Sequence, residues 1–154
     1  MDMRTAIVTQ RTRTRRWEER DRPAFHRLNV DETVMHFFHM RRTRDESDAL
    51  MDDLNSRLDR DGLSFLALEV ETSGEAVGIV GMARLDPVMP RSPGVEIGWR
   101  LLPGYWGKGY VTEASTACLE RAFAEPDALD EVVSFCVQTN QASEAVMLRL
   151  EHFQ

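Results

Sequence analysis

Apolar positions change their period along the chain, and each change marks an element. Leu50, Leu54 and Leu58 recur at four-residue spacing, the signature of one helix face. Thr43-Arg44-Asp45-Glu46 ahead of them is a capping-box pattern, and Gly62 behind them is a stop. Leu63 to Glu71 and Ala76 to Arg84 are strand-like, joined by Thr72-Ser73-Gly74-Glu75, a hairpin signal. Leu63, Phe65 and Ala67 fall on one side, and Leu66, Leu68 and Val70 on the other. Apolar residues on both faces predict a central strand covered by helices. After a proline-broken loop, Asp86 to Gly94, comes a strand over Val95 to Leu101. A helix follows with Val111, Ala114, Cys118 and Ala122 on one stripe. Glu131 to Val137 predicts a strand, and Gln141 to Leu150 a last helix capped by Asn140.

The beginning of the chain is less regular. Residues 1–8 read as a loose tail and 9–17 as a strand ending at Trp17. Its Thr12-Arg13-Thr14-Arg15 alternation predicts a solvated edge strand, where charge discourages edge pairing; an RNA-binding arm is the other reading. Asp21-Arg22-Pro23 opens a short helix with Asp21 as cap, and Asp31 to Met40 a second helical stretch. The order is strand, helices, three strands, helix, strand, helix. That is an α/β chain, more closely an α+β mixed sheet with helices on its faces, in one domain over 9–154.

Composition narrows the function. A length of 154 residues with 42% hydrophobic content supports one packed core. The net charge of −7 argues against nucleic acid as a partner. No apolar run reaches membrane-spanning length, and no signal-peptide pattern follows the start. Cys118 and Cys136 form neither a disulfide framework nor a zinc spacing, so a reduced cytoplasmic setting without a metal is expected. His36 and His39, three apart, lack a third ligand.

The most informative stretch is Gly104-Tyr105-Trp106-Gly107-Lys108-Gly109-Tyr110-Val111-Thr112-Glu113-Ala114. A glycine-spaced loop between strand and helix exposes backbone N–H groups at a helix N-terminus, a setting for phosphate. A Walker-type loop is excluded because Gly109, not a hydroxyl residue, follows Lys108. The dinucleotide fingerprint fails because Thr112 stands at its third glycine. Lys108 is the only lysine in the chain. Either codon bias removed the others, or an ammonium was kept beside the phosphate loop.

The run Val95-Glu96-Ile97-Gly98-Trp99-Arg100-Leu101, continued by Tyr105 to Ala114, resembles the acetyl-CoA-binding core of the GNAT N-acetyltransferase superfamily. Trp-Gly-x-Gly-Tyr-x-Thr-Glu-Ala is most similar to its RimJ/RimL-like branch of ribosomal-protein and small-amine acetyltransferases. Arg15-Arg16-Trp17 with Glu19 and Asp21 resembles that branch's first strand and helix entry. Asn140-Gln141-Ala142-Ser143 before Val146-Met147 resembles its pantetheine-side segment. The resemblance spans residues 9 to about 150. It implies a GNAT-like fold without the final β-hairpin, since the branch continues past Leu150 with a glycine and a closing strand pair, whereas here Glu151 replaces the glycine and the sequence stops at Gln154. Thr12 and Thr14 stand where the branch is apolar, and Gly104 where the superfamily often has Gln or Arg.

What the resemblance implies for the site is specific. Backbone amides of Tyr105, Trp106, Gly107, Lys108, Gly109 and Tyr110 would hold the pyrophosphate of acetyl-CoA. Backbone groups of Ile97, Gly98 and Trp99 would pair with the pantetheine arm. Asn140 and Ser143 would sit near the thioester. Glu96 is the candidate base for the amine, or else an outward strand residue on a cleft wall. Ser143 is the candidate acid toward the thiolate, or else a first-turn hydrogen-bonding residue. Glu113 is expected to favour the helix N-terminus electrostatically, and Cys136 to be a buried small hydrophobe. The expected activity is acetyl transfer from the thioester to a primary amine of a peptide, ribosomal protein or small molecule. A catalytically weak acetyl-CoA-binding module and a homodimer completing its sheet across an interface are the alternatives.

Overall fold

The structure, a computed structural model, describes residues 1–71, 73–124, 126–136 and 138–151. Thr72 of the expected hairpin turn and Val137 of the expected last strand lie outside the described residues. Strands β1 (Ile7–Val8), β2 (Thr12–Arg15), β3 (Phe65–Val70), β4 (Gly78–Arg84) and β5 (Val95–Leu101) form one sheet in chain order. Every neighbouring pair is antiparallel. Helices α1 (Arg22–Val30) and α2 (Arg44–Asp61) follow β2, α3 (Tyr110–Ala122) follows β5, and α4 (Gln141–Leu150) comes last. No helix among the described residues is long and apolar enough to cross a membrane.

The sheet is buried on both faces, as the apolar pattern of β3 requires. Leu66, Leu68 and Val70 join Val80, Ile97, Val111, Ala114 and Cys118 in one cluster beneath α3. Ala67 and Ile79 join Trp17, Phe25, Leu28, Met51 and Leu54 in a second beneath α1 and α2. Helix α2 has the expected box: Thr43 Oγ1 accepts from the Glu46 amide at 3.1 Å, and Glu46 Oε1 from the Thr43 amide at 2.9 Å. Gly62 closes it at φ +73°.

Several local expectations are corrected by tertiary contacts. The expected tail carries β1, and Met3 and Ile7 are buried in the core. β1 therefore flanks β2, so the Thr-Arg alternation is not an edge. Thr12 and Thr14 are buried there, and Arg15 turns inward to Asp21 at 2.7 and 3.0 Å and to Glu69 at 3.0 Å. Asp21 stands at the α1 entry but makes no side-chain cap, because its carboxylate is taken by Arg15 and the Glu18 amide. Residues 31–40 form successive turns instead of a helix, with Asp31 Oδ1 accepting from the Thr33 and Val34 amides. Over 131–136 the expected strand shrinks to one parallel bridge, Glu96 to Val133.

Candidate active site

The single bridge at Val133 creates the cleft. Ile97 donates to Val133 O at 2.8 Å, and Val133 donates to Val95 O at 2.9 Å. Beyond it Ser134, Phe135 and Cys136 are unpaired with β5 and instead form the opposite wall. The resulting opening has a volume of about 1660 Å³. Its floor is β5, one end is the loop after β5, another wall is the start of α4, and the far side is the turn segment 32–38.

Alternation along β5 sorts the candidate backbone groups. Adjacent residues of a strand direct their N–H and C=O to opposite edges. Because Ile97 faces Val133, Trp99 presents its main chain to the cleft edge and Gly98 to β4, opposite Gly81. The Gly98 main chain is thus directed to β4 and not to the cleft edge. Its role is packing: a Cβ there would meet the Phe65 ring at 3.1 Å.

The loop after β5 shows which amides are free. Tyr105 N–H bonds Leu102 O at 3.0 Å and Trp106 N–H bonds Pro103 O at 3.1 Å. Both are engaged by a 3-10 turn over Pro103–Tyr105, so of the expected donors those from Gly107 onward are the unpartnered ones. From Gly107 through Thr112 no backbone N–H has a hydrogen-bond partner among the described residues. The first helical turn always leaves such donors, and the loop adds more. Gly107 at φ +75° and Gly109 at φ +81° make the bend that L-residues resist. An added Cβ at Gly107 would meet nothing within 4 Å, so the bend faces open space. This donor set at a helix N-terminus fits a diphosphate.

Arg11, which the sequence reading did not single out, braces this loop. Its Nη1 donates to Lys108 O at 2.9 Å, and its Nε to Glu113 Oε1 at 2.8 Å. Its guanidinium lies 4.9 Å from the Tyr110 ring centre. A trans peptide is planar, so holding the Lys108 carbonyl toward Arg11 turns the Gly109 N–H the opposite way. Glu113 also accepts from the Arg11 amide at 2.9 Å and from Thr9 Oγ1. It ties the β1–β2 turn to α3, a more specific role than dipole compensation. Burial works to raise the Glu113 pKa, but the Thr9 and Arg11 donors hold it below the usual carboxylate range. The signal for Arg11 was absent locally, since Glu113 lies 102 residues away.

The remaining candidates divide. Glu96 is half-buried on the cleft wall, with no hydrogen bond or ion pair among the described residues, and burial raises its carboxyl pKa. Asn140 caps α4 through Oδ1, accepting from the Ser143 amide at 3.2 Å, and both residues line the cleft. The Ser143 hydroxyl itself is uncommitted among the described residues. Tyr105 and Trp106 line the cleft, but the Trp106 indole N–H is spent on Leu101 O at 2.7 Å. Tyr110 is buried and its phenol donates to Glu71. Lys108 is exposed and lies by a separate small recess with Glu71 and Tyr110. Cys136 is exposed, correcting its expected burial, while burial pushes the Cys118 thiol up to about 12.

An antiparallel sheet opened beside one strand, with free amides at the next helix, forms an α+β fold with an anion-binding cleft. The chain belongs to the GNAT acetyltransferase family: the family model described as "Acetyltransferase (GNAT) domain" matches residues 11–151. It is 30% identical over 127 residues to YkkB of Bacillus subtilis (strain 168), covering 81% of this chain and 72% of that protein. In fold it resembles an acetyltransferase from Agrobacterium tumefaciens str. C58, at a TM-score of 0.80 and 24% identity, over 95% of this chain and 82% of the other. It also resembles RimL, a ribosomal L7/L12 alpha-N-protein acetyltransferase solved with coenzyme A. That match has a TM-score of 0.77 and 19% identity, over 94% of this chain and 82% of RimL.

Proposed function

We propose that this chain is an acetyl-CoA-dependent N-acetyltransferase that moves the acetyl group directly from the thioester to a primary amine. The observation that carries this reading is the run of unpartnered amides from Gly107 to Thr112, opening onto the cleft that Glu96 lines. Those amides, aided by the α3 dipole, take the cofactor's diphosphate. The free main-chain edge of Trp99 takes the amides of the pantetheine arm as an added strand would.

Glu96 accepts the proton of the acceptor amine, directly or through water. A carboxylate made more basic by burial is suited to that work. The amine nitrogen bonds to the thioester carbonyl carbon, the carbon–sulfur bond breaks, and the Ser143 hydroxyl donates toward the departing thiolate. Neither a metal nor a covalent enzyme intermediate is needed. Asn140 keeps the start of α4, and with it Ser143, at the cleft. The likeness to RimL supports a peptide N-terminus as one acceptor, beside small amines.

Calorimetric titration with acetyl-CoA, followed by thiol-release assays on mixed amines, tests this. Saturable binding and amine-dependent release are expected. Tight binding without release on any amine would leave a binding module in place of an enzyme. Absence of binding by folded protein would remove the reading altogether.

A further inference from the structure

Arg100 is a cation without a counter-charge among the described residues, on the wall of the same cleft. It stands on β5 two residues past Gly98, half-buried. Burial, and after it the positive charge of Arg42, push its pKa down to about 10. No carboxylate among the described residues offsets these effects. Glu32, which also lines the cleft, is occupied by Arg41 at 3.0 Å. Leaving a charge partly desolvated and unpaired is costly, so such an arrangement calls for a partner.

The guanidinium is held in place from behind. Arg100 Nη1 donates to Asn29 Oδ1 at 3.1 Å and to Met35 Sδ at 3.3 Å. Asn29, fully buried, is fixed in turn by donating to Ser47 Oγ at 3.0 Å. The Phe38 ring lies 5.2 Å from the guanidinium carbon. Nε and Nη2 have no hydrogen-bond partner among the described residues. A braced guanidinium with free donors at a cleft is a receptor for a carboxylate or phosphate oxygen.

We infer that Arg100 binds an anionic group on the acceptor, so that the substrates are primary amines carrying a carboxylate or phosphate several bonds away. This rests on the acetyltransferase reading above. The spacing follows from the strand. Glu96 and Arg100 share one face of β5, about 13 Å apart between Cα atoms at ~3.3 Å per residue. Both residues line the same cleft, and that separation suits a linear ω-amino acid better than the adjacent charges of an α-amino acid. The turns over 31–40, expected from sequence to be helical, supply Met35 and Phe38 to this pocket.

The test compares 6-aminohexanoate, 6-aminohexyl phosphate and the neutral 6-aminohexanamide as acceptors at saturating acetyl-CoA. Thiol release and calorimetric binding to the coenzyme A complex are both measured. For the wild type, kcat/KM for the better anionic amine should exceed that of the amide by about tenfold or more. In Arg100→Gln the preference should fall below about threefold, mostly through KM, and Arg100→Lys should recover part of it. Acetyl-CoA affinity reports that each variant is folded. The ratio between the two anionic arms separates carboxylate from phosphate. Equal use of neutral and anionic amines, an undiminished preference in Arg100→Gln, or binding of none of the three overturns the inference. Those results leave the acetyltransferase reading standing as long as other amines release thiol; loss of acetyl-CoA binding by the wild type would instead sink that reading.

Discussion

Gly107→Val separates the anion loop from the rest of the molecule. Gly107 has φ +75°, and a Cβ added there would touch nothing within 4 Å. The free protein therefore meets no clash, only the left-handed backbone cost of about 1–2 kcal/mol. That corresponds to a fall in Tm of roughly 2–8 °C for a chain of this size. Binding should suffer far more. The strain is relieved by rotating the neighbouring peptides, which turns the Gly107 and Lys108 amides away from the ligand. Hydrogen bonds to charged groups are worth about 1.5–3 kcal/mol each, so losing two weakens acetyl-CoA by about 100-fold or more. The assay is calorimetric titration of variants whose folding is checked by thermal melting. Gly104→Ala is the control, because its Cβ also meets open space and its φ is not positive; its affinity should match wild type. Lys108→Ala should cost under about threefold, since backbone donors make the anchoring contacts. Near-normal affinity in folded Gly107→Val, or a greater loss in Lys108→Ala, would refute the assignment of the diphosphate to these amides.

Arg11→Met removes the guanidinium from Tyr110 and Glu113 and frees the Lys108 carbonyl; acetyl-CoA affinity should drop about 5- to 30-fold, the cost of reordering roughly one backbone residue. An affinity within twofold of wild type would show that the brace is dispensable. Glu96→Gln should cut turnover by about 10²–10⁴-fold with acetyl-CoA affinity unchanged, and unchanged turnover across pH would remove Glu96 as the base. The same variant should be more stable than wild type at neutral pH and equal to it in acid. Burial raises the Glu96 pKa, so the folded state binds that proton more tightly, and stability is lost as pH rises through the folded pKa. Asp21→Asn breaks the Arg15 pair and should cost about 3 kcal/mol in urea melts at neutral pH, Glu69 still partnering Arg15. Burial works to raise the Asp21 pKa, but Arg15 and the Glu18 amide hold it low. Its contribution is therefore present at neutral pH and lost as pH falls through the folded pKa, so the deficit of the variant should vanish in strong acid.

Residues whose partners are close in sequence were readable from the chain alone. Thr43 and Glu46 cap each other, and Asn140 caps onto Ser143. The alternation in β3 sets its faces whatever packs on them, and the glycine-spaced loop at α3 bends by its own backbone preferences. These depend on dihedral preference and hydrogen bonds within a turn, so short windows encode them. Glu96 was named from its place on the strand before the glycine loop, two residues ahead of Gly98, which short windows also record. The turns over 31–40 misled because Asp31 accepts backbone amides locally in place of a helical ladder. What tertiary structure alone decided was pairing across long chain separations. Arg11 with Glu113, Arg15 with Asp21 and Glu69, and β1 covering β2 each depend on the whole sheet being assembled. The opening of the cleft belongs there too: whether Val133 pairs once or as a full strand depends on how 131–136 diverges from β5. So does the state of Arg100, which meets no counter-charge among the described residues packed around it. Such features arise from summed burial and from Coulomb interactions acting through space, and no spacing along the chain records them.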